Sequence, residues 1–151
     1  MGDWGETGEI LLRMLAAYLL ALPIGWQRER SSRGLGLRTF PLVAVASCGY
    51  MFLAVELAGG DPNAESRVLA GLMTGIGFIG GGAILKRTSA EEIHGTSTAA
   101  GIWATGAIGA AAAYGRWDLG VVLSVVTLAT FRLLEPLKDR LDARHHRGEV
   151  D

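Results

Sequence analysis

The sequence predicts an all-α protein, a polytopic membrane helical bundle of about five transmembrane helices. Half of the 151 residues are hydrophobic, glycine and alanine are abundant, and aromatic residues are few. Small residues are typical of helices that pack inside a bilayer, where they let backbones approach closely. Charged residues are nearly absent from long apolar runs and crowded between them, which is the pattern of a membrane protein.

Five apolar runs follow one another along the chain. They cover residues 10–26, 40–58, 68–85, 96–114 and 119–134. Each is close to the roughly 20 residues with which a helix crosses a hydrocarbon core of about 30 Å. The alternation of a half-exposed sheet is missing. We therefore expect a transmembrane domain over residues 1–135 and a short cytoplasmic tail over residues 136–151.

The basic residues predict the orientation of these spans. Eleven of the fourteen lysines and arginines lie after the first, third and fifth runs or, in the case of Arg132, near the end of the fifth. By the positive-inside rule the N-terminus is outside and the C-terminus inside. No basic region or small-residue cleavage pattern marks a removable signal peptide, so the first run is expected to stay as an anchor.

Two charged residues lie near the outer ends of the first two spans. Arg13 is about one turn into the first span and Glu56 about one turn before the end of the second, which runs the opposite way. A charge at that depth is costly unless it is paired or reaches the interface. We predict an ion pair between Arg13 and Glu56; a role of the two residues in an ion path is the alternative.

The third run contains the stretch "AGLMTGIGFIGGGAILK". Gly75, Gly77 and Gly80 match the GxGxxG text of a dinucleotide-binding turn, but that turn needs a strand before the glycines and a helix after them. Glycines inside an apolar run of membrane length do not meet that condition. A nucleotide site is therefore not predicted.

The same glycines favour close helix packing. Gly71 with Gly75 and Gly77 with Gly81 form GxxxG pairs, and the Ala- and Gly-rich fourth run offers a matching surface. Three consecutive glycines, residues 80–82, exceed what packing requires and weaken a helix by about 1 kcal/mol each relative to alanine. A break near the inner end of this span is predicted, and such breaks often line ion or substrate sites.

The loop after the first span is the densest polar cluster. Gln27, Arg28 and Glu29 end the first span, whereas Arg38 and Thr39 begin the second. These side chains are able to converge and recognise an anion or a partner protein. The alternative is that the arginines only set topology and bind anionic lipid.

The second inner loop ends in Thr96, Ser97 and Thr98, whose hydroxyls are predicted to cap the fourth helix. His94 with Glu91 and Glu92 is a weaker candidate for a divalent cation, because the spacing matches no standard site. No nucleophile with its base, paired-carboxylate site or zinc helix is present in the sequence. We expect neither an enzyme nor a metal site or cofactor.

Three stretches resemble, in order, the signature stretches of the MgtC/SapB family of bacterial membrane proteins. They are "GWQRERSSRGLGLRTFPLVAVAS", "GIGFIGGGAILK" and "IHGTSTAAGIWATGAIGAAAAYG", within residues 11–134. The family's Glu-Arg pair falls on Gln27 and Arg28, with Glu29 able to substitute for the missing charge. Ile79 and Gly81 depart from the family's glycine element. The candidate functional residues that the resemblance indicates are Gln27, Arg28, Glu29, Arg38, Thr39, Gly75, Gly77, Phe78, Gly80, Gly82, His94, Gly95, Ser97 and Thr98.

The resemblance implies a multi-pass protein of the bacterial inner (plasma) membrane that is linked to magnesium homeostasis. Some members restrain the F-type ATP synthase, which favours a regulator acting through other membrane proteins; a subunit of a magnesium transporter or channel is the alternative. The expected partners are the lipid bilayer and either further copies of the chain or another membrane complex, with no nucleic acid. The chain is expected to be a short form without the ACT-like cytoplasmic domain of longer members.

Overall fold

The computed structural model describes residues 4–31, 36–86 and 93–148. At residues 85, 86, 93, 94 and 135–148 it describes the backbone only. Within these residues the fold is five helices and one short hairpin. The helices are α1 (Trp4–Ser31), α2 (Thr39–Ala58), α3 (Pro62–Gly82), α4 (Thr96–Ala113) and α5 (Trp117–Gly148). Between α3 and α4, β1 (Leu85–Lys86) pairs with β2 (Ile93–His94) in antiparallel fashion. The prediction of an all-α bundle is confirmed, and each apolar run corresponds to one helix.

Three of the described helices are long and apolar enough to cross a membrane. They are α1, α2 and the first part of α5, Trp117–Leu134. Spanning by all five helices, with the N-terminus outside, stays a prediction.

Helix α4 occupies the centre of the bundle, where it contacts all four other helices. Its glycines make this possible. A Cβ at Gly109 would collide with the carbonyl oxygen of Ala44 in α2, and one at Gly106 with the side chain of Ile76 in α3. The abundance of small residues in the fourth run therefore reflects the number of neighbours that its helix has.

Helix α3 begins at Pro62, earlier than the apolar run, because Asp61 accepts a hydrogen bond from the backbone N–H of Asn63 at 2.9 Å and caps the helix. It is continuous to Gly82. The N–H groups of Ala83 and Ile84 then donate to the carbonyls of Gly80 and Gly81. The three glycines therefore form the end of the helix, three residues before the end of the predicted span, and α3 is unbroken between Pro62 and Gly82.

The predicted packing of the α3 glycines on α4 is wrong for most of them. Gly80 is buried, and a Cβ added to it would lie 3.3 Å from the carbonyl oxygen of Ala99 in α4. The other glycines of the helix face open space, with no atom within 4 Å of an added Cβ: Gly71, Gly75, Gly77, Gly81 and Gly82. Helices α3 and α4 approach each other closely at Gly106 of α4, because the side chain of Ile76 in α3 occupies the space that a side chain at Gly106 would fill.

The hairpin after α3 brings the chain back to the start of α4. Gly95 has a φ of 93°, and a Cβ there would meet the carbonyl oxygen of Ala83. Only glycine fits both the backbone conformation and the space. Glycine at position 95 therefore allows the end of α3 to lie directly against the start of α4.

Candidate functional site

Arg28 lies in the last turn of α1 and points into the bundle, with only 6% of its surface exposed. Its Nη2 donates a hydrogen bond to Thr98 Oγ1 in α4 at 2.8 Å. Its guanidinium carbon lies 4.9 Å from the ring centroid of Phe131 in α5. The hydrogen bond and the cation–π contact stabilise a guanidinium that burial has removed from water. One side chain thus joins three helices at the end of the bundle where α2 and α4 begin, which we name the predicted inner end.

The chain that follows α1 folds back tightly against that helix. Gly25 is buried, and its ideal Cβ lies 3.0 Å from the carbonyl oxygen of Gly36. The carboxylate of Glu29 accepts a hydrogen bond from the backbone N–H of Leu37 at 3.0 Å. Glu29, which the sequence offers as a substitute for a missing glutamate, is therefore engaged in holding the start of α2.

The remaining polar residues of this loop are arranged separately. Gln27 is half-buried, Arg38 is exposed, and Thr39 is half-buried at the first position of α2. The ends of α1 and α2 do meet, but through Glu29 and the backbone of Leu37. Arg28, placed by the sequence in the same cluster, turns towards α4 instead.

The hydroxyls at the start of α4 do not act as predicted. The N-cap residue is Gly95, without a side-chain cap hydrogen bond, so the capping interpretation is wrong. Thr96 and Ser97 are exposed, whereas Thr98 is buried and accepts from Arg28. The side chain of His94, together with Glu91 and Glu92, lies outside the described residues.

The outer surface of α3 forms a second candidate site, which we name the glycine face. Its members are the outward-facing glycines and one aromatic residue: Gly71, Gly75, Gly77, Phe78, Gly81 and Gly82. Phe78 is 85% exposed. This largely exposed aromatic ring among glycines gives the helix a surface with one large projection and open space on either side.

A groove of about 770 Å³ runs between α2 and α3 beside the glycine face. We name it the α2/α3 groove; its walls include Leu42, Ala46 and Tyr50 of α2 and Gly71, Gly75 and Ile79 of α3. Ser47 also lines it and is 1% exposed, and its Oγ has no hydrogen-bond partner among the described residues. Ser47 is not among the residues predicted from the sequence, because a serine in an apolar helix ordinarily bonds to its own backbone.

The predicted ion pair between Arg13 and Glu56 is corrected by the structure. Arg13 pairs with the carboxylate of Glu9, one turn earlier in α1, and donates to the carbonyl oxygen of Ala113. Its guanidinium carbon also lies 5.6 Å from the ring centroid of Phe52. A carboxylate on the same helix face is nearer than one on a neighbouring helix, and Glu56 stays exposed.

These features define a helical membrane protein with a buried arginine contact at one end and an open glycine-rich helix at its side. The chain belongs to the MgtC family, whose model matches residues 14–140. The resemblance inferred from the three motif stretches is thus confirmed.

Relatives from three bacteria show how far the similarity extends. The chain is 37% identical to Protein SrpB of Synechococcus elongatus, and the match covers 89% of the chain and 79% of SrpB. It is 37% identical to the "Putative magnesium transporter YhiD" of Escherichia coli, over 89% of the chain and 65% of YhiD. It is 33% identical to Protein MgtC of Brucella abortus, over 92% of the chain and 57% of MgtC. No solved structure matches this chain.

Proposed function

We propose that this chain is a regulator in the bacterial inner membrane that supports magnesium homeostasis or stress adaptation by contacting other membrane proteins. Membership of the MgtC family and the magnesium-transporter name of YhiD support the link to magnesium. Regulation by contact is inferred from the shape of the chain itself. The proposal covers the membrane-embedded part that the relatives share with this chain.

The observation that carries the proposal is the open glycine face. In a bilayer, helices associate where small residues let backbones approach closely, since lipid tails are as apolar as most side chains. Helix α3 packs mainly on α2 and α4, and grooves of about 770 and 600 Å³ flank it. Because the described helices of the protomer leave these glycines uncovered, the surface fits a helix from another chain.

The bundle supplies a firm support for this helix. Gly80 and Ile76 fix α3 to α4, and the hydrogen bond between Arg28 and Thr98 fixes α4 to α1. A partner that binds the glycine face therefore meets a helix whose opposite side is packed. Such pre-organisation lowers the cost of association.

A transporter subunit is the second candidate, favoured by the name of YhiD. Magnesium prefers oxygen ligands and keeps several of its waters. A path for the hydrated ion would therefore need polar surfaces from more than one copy of this chain. Uptake measurements separate this function from regulation.

The test combines two measurements on the wild type and two leucine variants. Gly81→Leu places a large side chain on the glycine face, and Gly8→Leu is the matched control on α1; both positions are open within the protomer. Liposomes containing a magnesium dye report uptake, and purification from native membranes with mass spectrometry reports a bound complex.

For a regulator we expect dye signals equal to those of empty vesicles. The wild type and Gly8→Leu retain one defined membrane complex, and Gly81→Leu loses it. Magnesium uptake above that of empty vesicles, abolished by Gly81→Leu, would instead show that the chain is a transporter subunit.

A further inference from the structure

The α2/α3 groove has the form of a receiving site for a helix. One wall is formed by Gly71 and Gly75, which are separated by one turn and lack side chains that would fill the space. The opposite wall carries Ala46 and the half-exposed ring of Tyr50. Close approach of a backbone is therefore possible along the α3 side of the groove.

Ser47 indicates that the occupant is polar at one point. Its hydroxyl is buried, lines the groove and has no hydrogen-bond partner among residues 4–31, 36–86 and 93–148. A buried hydroxyl without a partner is unfavourable. In a membrane helix such a hydroxyl is commonly satisfied by a group on a neighbouring helix.

We propose that the groove receives α3 of a second copy of this chain, so that two copies pair around a two-fold axis along the membrane normal. The inference deepens the function proposed above by naming one partner, and it rests on the glycine face being a contact surface. It does not depend on magnesium.

The depth of two hydroxyls supports a second copy as the occupant. Ser47 lies eight residues after Thr39, the first residue of α2, and Thr74 lies eight residues before Gly82, the last of α3. Both helices have these ends at the predicted inner end, since Thr39 and Ile79 line the same groove. Ser47 Oγ and the side chain of Ile76 both lie against Gly106 of α4, so Ser47 is near the depth of Ile76. Thr74 precedes Ile76 by two residues, about 3 Å along the helix axis. A two-fold axis along the membrane normal keeps depth unchanged, so the partner's Thr74 lies near the depth of Ser47.

The hydrogen-bonding capacity of the two hydroxyls is complementary. Thr74 Oγ1 is exposed and donates its proton to the carbonyl of Ala70 at 2.9 Å. A hydroxyl has one donor and two acceptor lone pairs, so Thr74 is still able to accept. Ser47 has an unused donor. In the pair, the Ser47 hydroxyl donates to the Oγ1 of the partner's Thr74.

The α3 surface is also complementary to itself in shape. Gly71, Thr74, Gly75 and Phe78 follow the spacing that places residues on one helix face. In a two-fold contact along the membrane normal, Gly71 and Gly75 of one copy lie at the same depth as Gly71 and Gly75 of the other. Neither position carries a side chain, so the two α3 backbones are able to approach closely there.

The test measures self-association of the purified full chain in liposomes without other proteins. Fluorescently labelled chain is diluted in lipid, and photobleaching steps count the copies per spot over a range of protein-to-lipid ratios. The wild type and Gly8→Leu are expected to dimerise equally. Gly75→Leu fills the groove and is expected to be monomeric throughout, although its own protomer has room for the side chain.

Two smaller changes test the hydrogen bond. Ser47→Ala and Thr74→Val are each expected to weaken dimerisation by about threefold to tenfold, with no further loss in the double variant. Thr130→Val is the control, because Thr130 of α5 is also exposed and bonded back to its own helix. Additive losses, or an equal effect of Thr130→Val, would overturn the pairing of Ser47 with Thr74.

The outcome for the dimer is separable from that for the regulator. A wild type that is monomeric at every ratio, or a Gly75→Leu variant that dimerises like Gly8→Leu, overturns the dimer. If the wild type is monomeric but Gly81→Leu still loses a native complex, the proposed function stands and only the choice of partner is wrong.

Discussion

Arg28 of α1 donates a hydrogen bond to the hydroxyl of Thr98 in α4 across 70 positions of the chain, with 2.8 Å between the two atoms. The bond joins two of the three motif stretches, and Phe131 of α5 covers the guanidinium. The two residues therefore belong to one structural unit at the predicted inner end.

Removing the acceptor of this bond is expected to destabilise the bundle. Thr98→Val keeps the shape of the side chain but leaves a buried donor of Arg28 without its acceptor, which costs about 1–3 kcal/mol. Arg28→Lys keeps the charge but loses the planar stacking on Phe131, and is expected to be less stable as well. Thermal unfolding in detergent measures both, with exposed Arg38→Gln as the control. A Thr98→Val protein as stable as Arg38→Gln would show that the bond contributes nothing.

Adding one methyl group at Gly109 is expected to separate α2 from α4. The new Cβ of Gly109→Ala meets the Ala44 carbonyl, and overpacking of this kind costs about 1–3 kcal/mol. Gly77→Ala adds the same group on the open side of α3, where alanine favours the helix by about 1 kcal/mol. Unfolding in a mixed-detergent titration should thus shift in opposite directions for the two variants. Equal shifts would contradict the packing described for α4.

Two glycines with nearly the same backbone angle, Gly95 and Gly60, allow the cost of backbone strain to be measured separately from the cost of a steric collision. Gly95 and Gly60 have nearly the same backbone angle, with φ of 93° and 91°. Alanine at either position costs about 1–3 kcal/mol in backbone strain, but at Gly95 it also meets the carbonyl oxygen of Ala83. Gly95→Ala is therefore expected to lower the melting temperature clearly more than Gly60→Ala. Equal losses would mean that the end of α3 yields to the new methyl group.

The carboxylate partner of Arg13 is identified by charge removal. Glu9→Gln is expected to lower stability by about 0–1 kcal/mol, as for a partly exposed ion pair, and to have no effect once Arg13 is replaced by methionine. Glu56→Gln is expected to match the wild type. Coupling of Arg13 to Glu56 in the same double-mutant cycle would restore the ion pair predicted from the sequence.

The sequence was sufficient for the helices and for the family, but not for the faces that the helices turn towards one another. Apolar length located all five helices, and depth placed Arg13 near Glu56. However, whether Arg13 pairs with Glu9 or with Glu56 depends on how α1 and α2 are rotated about their axes. The positions of the charges along the chain do not determine that rotation. The GxxxG spacing of α3 predicted close packing on α4, but the close contact is made at Gly106 of α4, against Ile76 of α3.

Arg28 and Thr98 illustrate the same limit. The hydroxyl of Thr98 satisfied a local rule for helix capping, whereas its contact with Arg28 requires knowledge of how α1 lies against α4. Ser47 carried no signal at all, since its lack of a partner is a property of the packed bundle. Contacts across long stretches of chain are therefore the part that only the structure supplied.

The central place of α4 bears on how the chain matures during synthesis. The first three helices emerge before the helix that contacts every other one, so Ala44 and Ile76 lack their principal neighbour until the fourth helix has been made. Until then Arg28 also lacks the hydroxyl of Thr98. During synthesis the most closely packed surfaces thus lack their contacts until one glycine-rich segment has been made, and that segment completes them together.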